Sequence, residues 1–187
     1  MFKDNFKNQF RGVVSVIGGS SIDDTTKKLA ENMGDLLAKN NFAVSCGGLT
    51  GVMEAVCKGA KSANGLTIGI IPFKEKSAAN KYVDIVIPVP FSQARNIVVV
   101  LSGDACIAIG GKAGTLSEIC FAWIYNKPII ALTGVEGWSS KMANTKIDDR
   151  RIDQIYEAKS PKEVISLLNQ VLKSKKSSKN EEFSNNF

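Results

Sequence analysis

The stretch Asp104-Ala-Cys-Ile-Ala-Ile-Gly-Gly-Lys-Ala-Gly-Thr-Leu-Ser-Glu118 decides the fold. Ala105–Ile109 is a short, continuously apolar run of strand type, Gly110–Gly114 is a glycine-rich turn, and a helix is predicted to open at Thr115. A strand that passes through glycines into a helix start leaves unpaired backbone N–H groups around a concavity. Those donors and the positive end of the helix dipole attract an anion, most often a phosphate. Glycine belongs there because a side chain would hold the phosphate away from the backbone. A single glycine pair reads as an ordinary tight turn; this longer run reads as a ligand site.

Working outward, the same grammar recurs. Val13–Ile17 is an apolar run ending in Gly18-Gly19-Ser20-Ser21, and Phe42–Cys46 ends in Gly47-Gly48-Leu49-Thr50-Gly51. Further strands are predicted at Leu66–Ile70, Asp84–Ile87, Pro128–Leu132 and Ile152–Ala158. Between them lie helix patterns: one capped by Asp24 with Leu29, Met33, Leu36 and Leu37 as its buried face, one running to about Lys61, one over Phe91–Ser102, and one over Thr115–Asn126. Ser160-Pro161-Lys162-Glu163 is a capping box with proline at the first helical position, opening a helix to about Lys173. Apolar strands alternating with helices predict a Rossmann-like, doubly wound α/β fold. Its sheet is mostly parallel, of about six or seven strands, with helices on both faces. In such sheets ligands bind beyond the carboxyl ends of the strands, where the strand order reverses. All three glycine turns can lie at that edge.

The 187-residue length suits one domain, predicted over 12–173, and 44% hydrophobic with 22% charged residues is ordinary for a globular chain. The first eleven residues place Phe2, Phe6 and Phe10 at helical spacing beside Lys3, Lys7 and Arg11, a stripe expected to pack on the body or on a second subunit. The tail, 174–187, is rich in Ser, Asn and Lys and is expected to be disordered. No apolar run reaches membrane-spanning length and no secretory leader is apparent, so the default expectation is a cytoplasmic protein with no membrane partner. Net charge is +6, but part of it sits in the tail, and no basic face with interleaved aromatics predicts a nucleic-acid partner.

Absences narrow the chemistry. The chain has no histidine, which removes Ser-His-Asp and Cys-His catalysis and histidine metal sites. None of Cys46, Cys57, Cys106 and Cys120 forms a Cys-x-x-Cys pair; they read as buried free thiols, and no metal or cofactor is predicted. A dinucleotide Gly-x-Gly-x-x-Gly after the first strand is missing, and Gly111-Lys112 is followed by Ala113, so this is not a P-loop.

Two lone charges stand out. Arg95 is the only charged residue from Ile85 to Gly103, and Glu118 the only one from Ala113 to Asn126. A lone buried charge is costly, so the two are expected to meet each other as a structural ion pair or to meet a ligand. The helix Thr115–Asn126 is apolar nearly all round, which predicts burial on both sides and hence a homodimer.

Together these motifs resemble the LOG-like family of Rossmann-type proteins, long labelled lysine decarboxylases, over roughly Val13 to Leu168. Gly110-Gly111-Lys112-Ala113-Gly114-Thr115-Leu116-Ser117-Glu118 matches the hallmark Pro-Gly-Gly-x-Gly-Thr-x-x-Glu, and Arg95-Asn96 matches its upstream Arg-Lys pair. Gly110, Lys112 and Asn96 depart from it, and with Ala94-Arg95-Asn96 and Gly51-Val52-Met53-Glu54-Ala55 the chain resembles the branch that includes the molybdenum cofactor carrier protein. The resemblance implies Arg95 and Glu118 as catalytic positions, and a phosphorylated ligand such as AMP held by Gly18, Gly19, Ser20, Gly47, Gly48, Gly51, Gly110, Gly111, Lys112, Gly114 and Thr115. It leaves three functions open. The chain could hydrolyse the N-glycosidic bond of a nucleoside 5′-monophosphate, could carry or sense a phosphorylated pterin or nucleotide without catalysis, or could be a homo-oligomer whose glycines only permit close packing. Decarboxylation by a pyridoxal-phosphate aldimine is set aside, since that chemistry uses histidine assistance.

Overall fold

The structure, a computed structural model, describes the backbone of residues 9–184 and the side chains of 9–173. Seven strands form one sheet: β1 (Gly12–Gly18), β2 (Phe42–Cys46), β3 (Thr67–Ile71), β4 (Ile85–Pro88), β5 (Ala105–Ile109), β6 (Ile129–Leu132) and β7 (Tyr156–Ala158). Their order is β4-β3-β2-β1-β5-β6-β7, and every neighbouring pair is parallel. The α/β, Rossmann-like expectation is met. The order reverses between β1 and β5, the two strands that carry the first and the last of the three glycine turns.

Among the described residues six helices cover the sheet: α1 (Asp24–Lys39), α2 (Val52–Ser62), α3 (Asn96–Ser102), α4 (Ala113–Ile124), α5 (Trp138–Met142) and α6 (Pro161–Ser184). Strand alternation sorts the core into two layers. Val14, Val16, Ile107 and Ile109 face α1, α2 and α6, whereas Ile17, Cys106 and Ala108 face α3, α4 and α5. β2 and β5 are buried at every position, as strands covered on both faces must be. Two serines in this apolar layer are paired: Ser15 Oγ donates to Val99 O (2.6 Å), and Ser45 Oγ lies 2.6 Å from Ser102 Oγ. The Val99 carbonyl, near the carboxyl end of α3, is thus satisfied from the sheet.

Several boundaries differ from the sequence expectation, each for a local reason. The α1 cap is Asp23, not Asp24: its extended backbone lets the carboxylate accept the Thr26 N–H at 2.7 Å. The predicted helix Phe91–Ser102 is a 3-10 turn, Ser92–Arg95, followed by the short α3. α4 opens two residues early, at Ala113. β7 begins at Tyr156 and not at Ile152, because Arg151 turns inward to Lys127 O (2.8 Å) and ties 151–153 into a loop. The Ser160–Glu163 capping box forms, with the Glu163 N–H on Ser160 Oγ at 3.3 Å. The α6 backbone runs on through Ser184, in keeping with lysine and glutamate as good helix formers and with the absence of Gly or Pro from 174–184. Phe2 and Phe6 of the N-terminal stripe lie outside the described residues. Among the described residues no helix is long and apolar enough to cross a membrane.

Candidate functional site

A cleft of about 1160 Å³ opens over the carboxyl ends of β1, β2, β5 and β6. That is at the upper end of small-molecule sites, which run to ~1,000 Å³. Its centre is the β5–α4 turn. Gly110 and Gly111 have φ of 57° and 89°, a left-handed backbone that only glycine adopts without strain. A Cβ on Gly111 would also strike the Thr115 side chain. The β6–α5 loop braces the turn from behind: the Gly110 N–H donates to Ser139 Oγ (2.7 Å), which donates on to Leu132 O (3.0 Å), and the Trp138 N–H donates to Gly111 O (3.0 Å). The turn is therefore held rigid on its protein side and open on its cleft side.

In α4, the first helical N–H to find a partner in the chain is that of Leu116, on Lys112 O (3.0 Å). The N–H groups of Ala113, Gly114 and Thr115 remain as donors, with exposed Lys112 beside them. Donors so placed at a helix start suit an anion. The start of α1 is different, because the Asp23 carboxylate already caps it. Hydrogen bonding from Thr26 holds that carboxyl below its ordinary range. Of the three helices that the glycine turns open, α1 is capped by Asp23, α2 has no side-chain cap but its Val52 N–H is bonded to Gly19 O (2.9 Å), and α4 keeps its first three N–H groups as donors.

Arg95 and Glu118 meet on the floor of the cleft. Both are nearly buried, with Arg95 Nη1 3.7 Å from Glu118 Oε1, a separation too long for a hydrogen bond. Burial pushes the Glu118 carboxyl up to about 7 against the opposing pull of Arg95. Burial likewise lowers the Arg95 guanidinium, with Glu118 opposing. Gly47 makes room for this pair: a Cβ there would lie 2.5 Å from Arg95 Nη1 and 2.7 Å from Nη2. Asn96, where the family hallmark has lysine, turns its amide to Ser117 Oγ (3.0 Å), and Ser117 in turn donates to Gly114 O (2.6 Å). These bonds fasten the start of α3 to the start of α4.

The structure brings Gly18, Gly19, Ser20, Gly47, Arg95, Gly110, Gly111, Lys112, Gly114, Thr115 and Glu118 around one cleft. Gly48 and Gly51, expected beside them, do not line it. Both have φ of 69°, and their places are structural: Gly48 packs on Gly69 and Ile71, and Gly51 lies against Gly19 O and Ser20. Sequence reasoning missed Asp23, Gln93, Glu136, Trp138 and Lys141 on the cleft wall. Gly134 and Gly137-Trp138 after β6 were the available signal, since a fourth strand-to-helix loop belongs at the same edge. Among the described residues no three His, Cys, Asp or Glu side chains cluster as metal ligands.

Known proteins share this architecture. An uncharacterized protein of Archaeoglobus fulgidus is 41% identical over 119 residues, 64% of this chain and 78% of its own. The molybdenum cofactor binding protein of Rippkaea orientalis superposes with a TM-score of 0.76 at 36% identity, covering 86% of this chain and 96% of that one. The molybdenum cofactor carrier protein of Chlamydomonas reinhardtii gives 0.76 at 28% identity, covering 87% and 99%. DNA processing protein A of Helicobacter pylori, at 20% identity and a TM-score of 0.58 over 87% of this chain and 80% of that one, is alike in fold alone. The SLOG cluster4 family matches residues 11–165, the whole sheet and its site, and the chain belongs to that family.

Proposed function

We propose that the cleft binds a phosphorylated small molecule carrying a flat ring, a pterin or a nucleotide, and holds it as a carrier. The observation that carries this reading is the start of α4, whose free N–H groups stand beside Lys112 and the open glycine Gly114. Lys112 replaces a glycine of the hydrolase hallmark with a cation at the anion site, which suits tight holding. The likeness to a molybdenum cofactor binding protein and a molybdenum cofactor carrier supports a pterin as ligand class. The test is mass spectrometry of the small molecule that co-purifies with the protein, followed by calorimetric titration of that class of compound. Recovery of no phosphorylated compound, together with no binding of AMP, GMP or inorganic phosphate, rejects the reading.

A second reading keeps one observation in its favour. Glu118, with a carboxyl near pH 7 beside Arg95, is poised as an acid–base group for hydrolysis of a nucleoside 5′-monophosphate. A carboxyl neutral over much of that range, however, gives less than a full charge to an oxocarbenium-like transition state. Release of free base from AMP by the wild type, lost in Glu118→Gln, would establish the hydrolase.

A further inference from the structure

The chain has two tryptophans, and they are treated very differently. Trp123 is buried, its indole N–H is bonded to Asp148 Oδ1 at 2.7 Å, and the Arg151 guanidinium lies 4.6 Å over its ring. Every group on it is used by the fold. Trp138 stands on the cleft wall, half-buried against the α4 layer, and its indole N–H has no partner among the described residues. Its position is fixed all the same. Its backbone N–H is bonded to Gly111 O, the next N–H to Gly110 O (3.0 Å), and a Cβ on Gly137 would lie 2.6 Å from Gly111 N. The indole is therefore mounted directly on the turn that offers the anion site. One face of the ring carries the Lys141 ammonium, 5.2 Å from its centroid. A ring face that admits an ammonium on a long flexible stem also admits a flat ring in its place.

We infer that Trp138 is the stacking platform for the heteroaromatic ring of the ligand, with its free indole N–H as a donor and Lys141 as a cation that leaves the ring face to meet the ligand's charge. This rests on the proposed phosphate site at the α4 start and assigns the other end of the same ligand. Stacking on an aromatic side chain is tolerant of ring type, because purines and pterins alike present a π face. Specificity for the ring then lies with groups that meet its edge, and affinity with Trp138.

The test uses two probes that share a phosphate: GMP, whose guanine has the 2-amino-4-oxopyrimidine ring also found in pterins, and ribose 5-phosphate, which has no aromatic ring. GMP is expected to quench the intrinsic fluorescence of the wild type, and Trp138→Phe to remove the quench while keeping calorimetric affinity within a few-fold. Trp138→Ala is expected to weaken GMP by about tenfold or more, the size of a lost base–aromatic stack, and ribose 5-phosphate by less than about twofold. The ribose 5-phosphate arm also shows that the variant is folded. Equal losses for both probes, no loss for either, or wild-type GMP binding no tighter than ribose 5-phosphate overturns the inference alone. A wild type that binds neither probe overturns the phosphate site and this inference with it.

Discussion

Replacing Glu118 by glutamine separates the cost of this carboxylate from its use. Burial raises its folded-state value from 4.5 to about 7, even with Arg95 3.7 Å away. The folded protein therefore holds the proton more tightly than the unfolded chain. That contribution to stability is complete below about pH 4.5, and it is lost as the pH rises toward 7. At 1.36 kcal/mol per unit, the ionised form costs the folded state about 3 kcal/mol at pH 8, as an upper bound. Glutamine keeps the shape and never ionises. Glu118→Gln should match the wild type near pH 4 and exceed it at pH 8 by several degrees of melting temperature, at about 2–4 °C per kcal/mol for a chain of this size. Other titrating groups are common to both proteins, so the difference between the two pH values isolates Glu118. The assay is paired melting curves at pH 4 and pH 8 without ligand. A variant less stable than wild type at pH 8 would refute the reasoning, because the pairing with Arg95 would then outweigh desolvation. A difference independent of pH would refute it too.

Gly114→Ala should fold normally and melt at or slightly above wild type, because a Cβ there meets only Gln93 Oε1 at 4.0 Å and alanine favours the helix by about 1 kcal/mol. Titration of AMP or GMP should nevertheless show binding reduced tenfold or more, and undiminished binding would argue against an anion at the α4 start. Gly111→Ala should instead lose stability, by about 1–3 kcal/mol from its left-handed backbone alone, besides the clash with Thr115, as read by chemical denaturation. Gly47→Ala should leave melting within a few degrees, since its clashes are with the Arg95 and Met53 side-chain ends, yet weaken ligand binding by displacing Arg95; unchanged binding would place Arg95 outside the ligand's reach. We expect a homodimer through the outer side of α4 and its end, where Ile124 is 50% and Tyr125 43% exposed, and light scattering that finds only monomer at micromolar concentration would contradict it.

The parts of the fold legible in the sequence were those fixed by local chemistry. β2 and β5 were bounded to the residue because each is an apolar run stopped by consecutive glycines. The α6 start was legible because Ser160, Pro161 and Glu163 satisfy their own backbone. Elements set by distant partners were misread. Nothing local announces that Arg151 will turn inward to Ala122 and Lys127, so Ile152 looked like strand and is instead 97% exposed. Asp23 and Asp24 are equivalent caps on paper, and only the extended backbone at Asp23 decides between them.

The site was legible as a set of glycines and two lone charges, but glycine in a sequence does not say what it makes room for. Arg95 makes Gly47 necessary, Thr115 and a left-handed backbone make Gly111 necessary, Gly69 and Ile71 make Gly48 necessary, and the β1 turn makes Gly51 necessary. Gly111, Gly48 and Gly51 are explained by the fold alone, and Gly47 reports on a ligand only through Arg95. Gly114 is the exception in the β5–α4 turn: its φ is ordinary, its Cβ would meet nothing nearer than Gln93 Oε1 at 4.0 Å, and alanine would serve the helix better. Its neighbours Lys112 and Ala113 are exposed toward the same cleft, and the N–H groups of Ala113, Gly114 and Thr115 have no partner among the described residues. A residue that the fold does not require to be glycine, at a helix start with unspent donors, is the position at which we expect the proposed anion to exert its demand. Among the glycines of this turn, Gly114 is therefore the one whose substitution bears on the ligand and not on the fold.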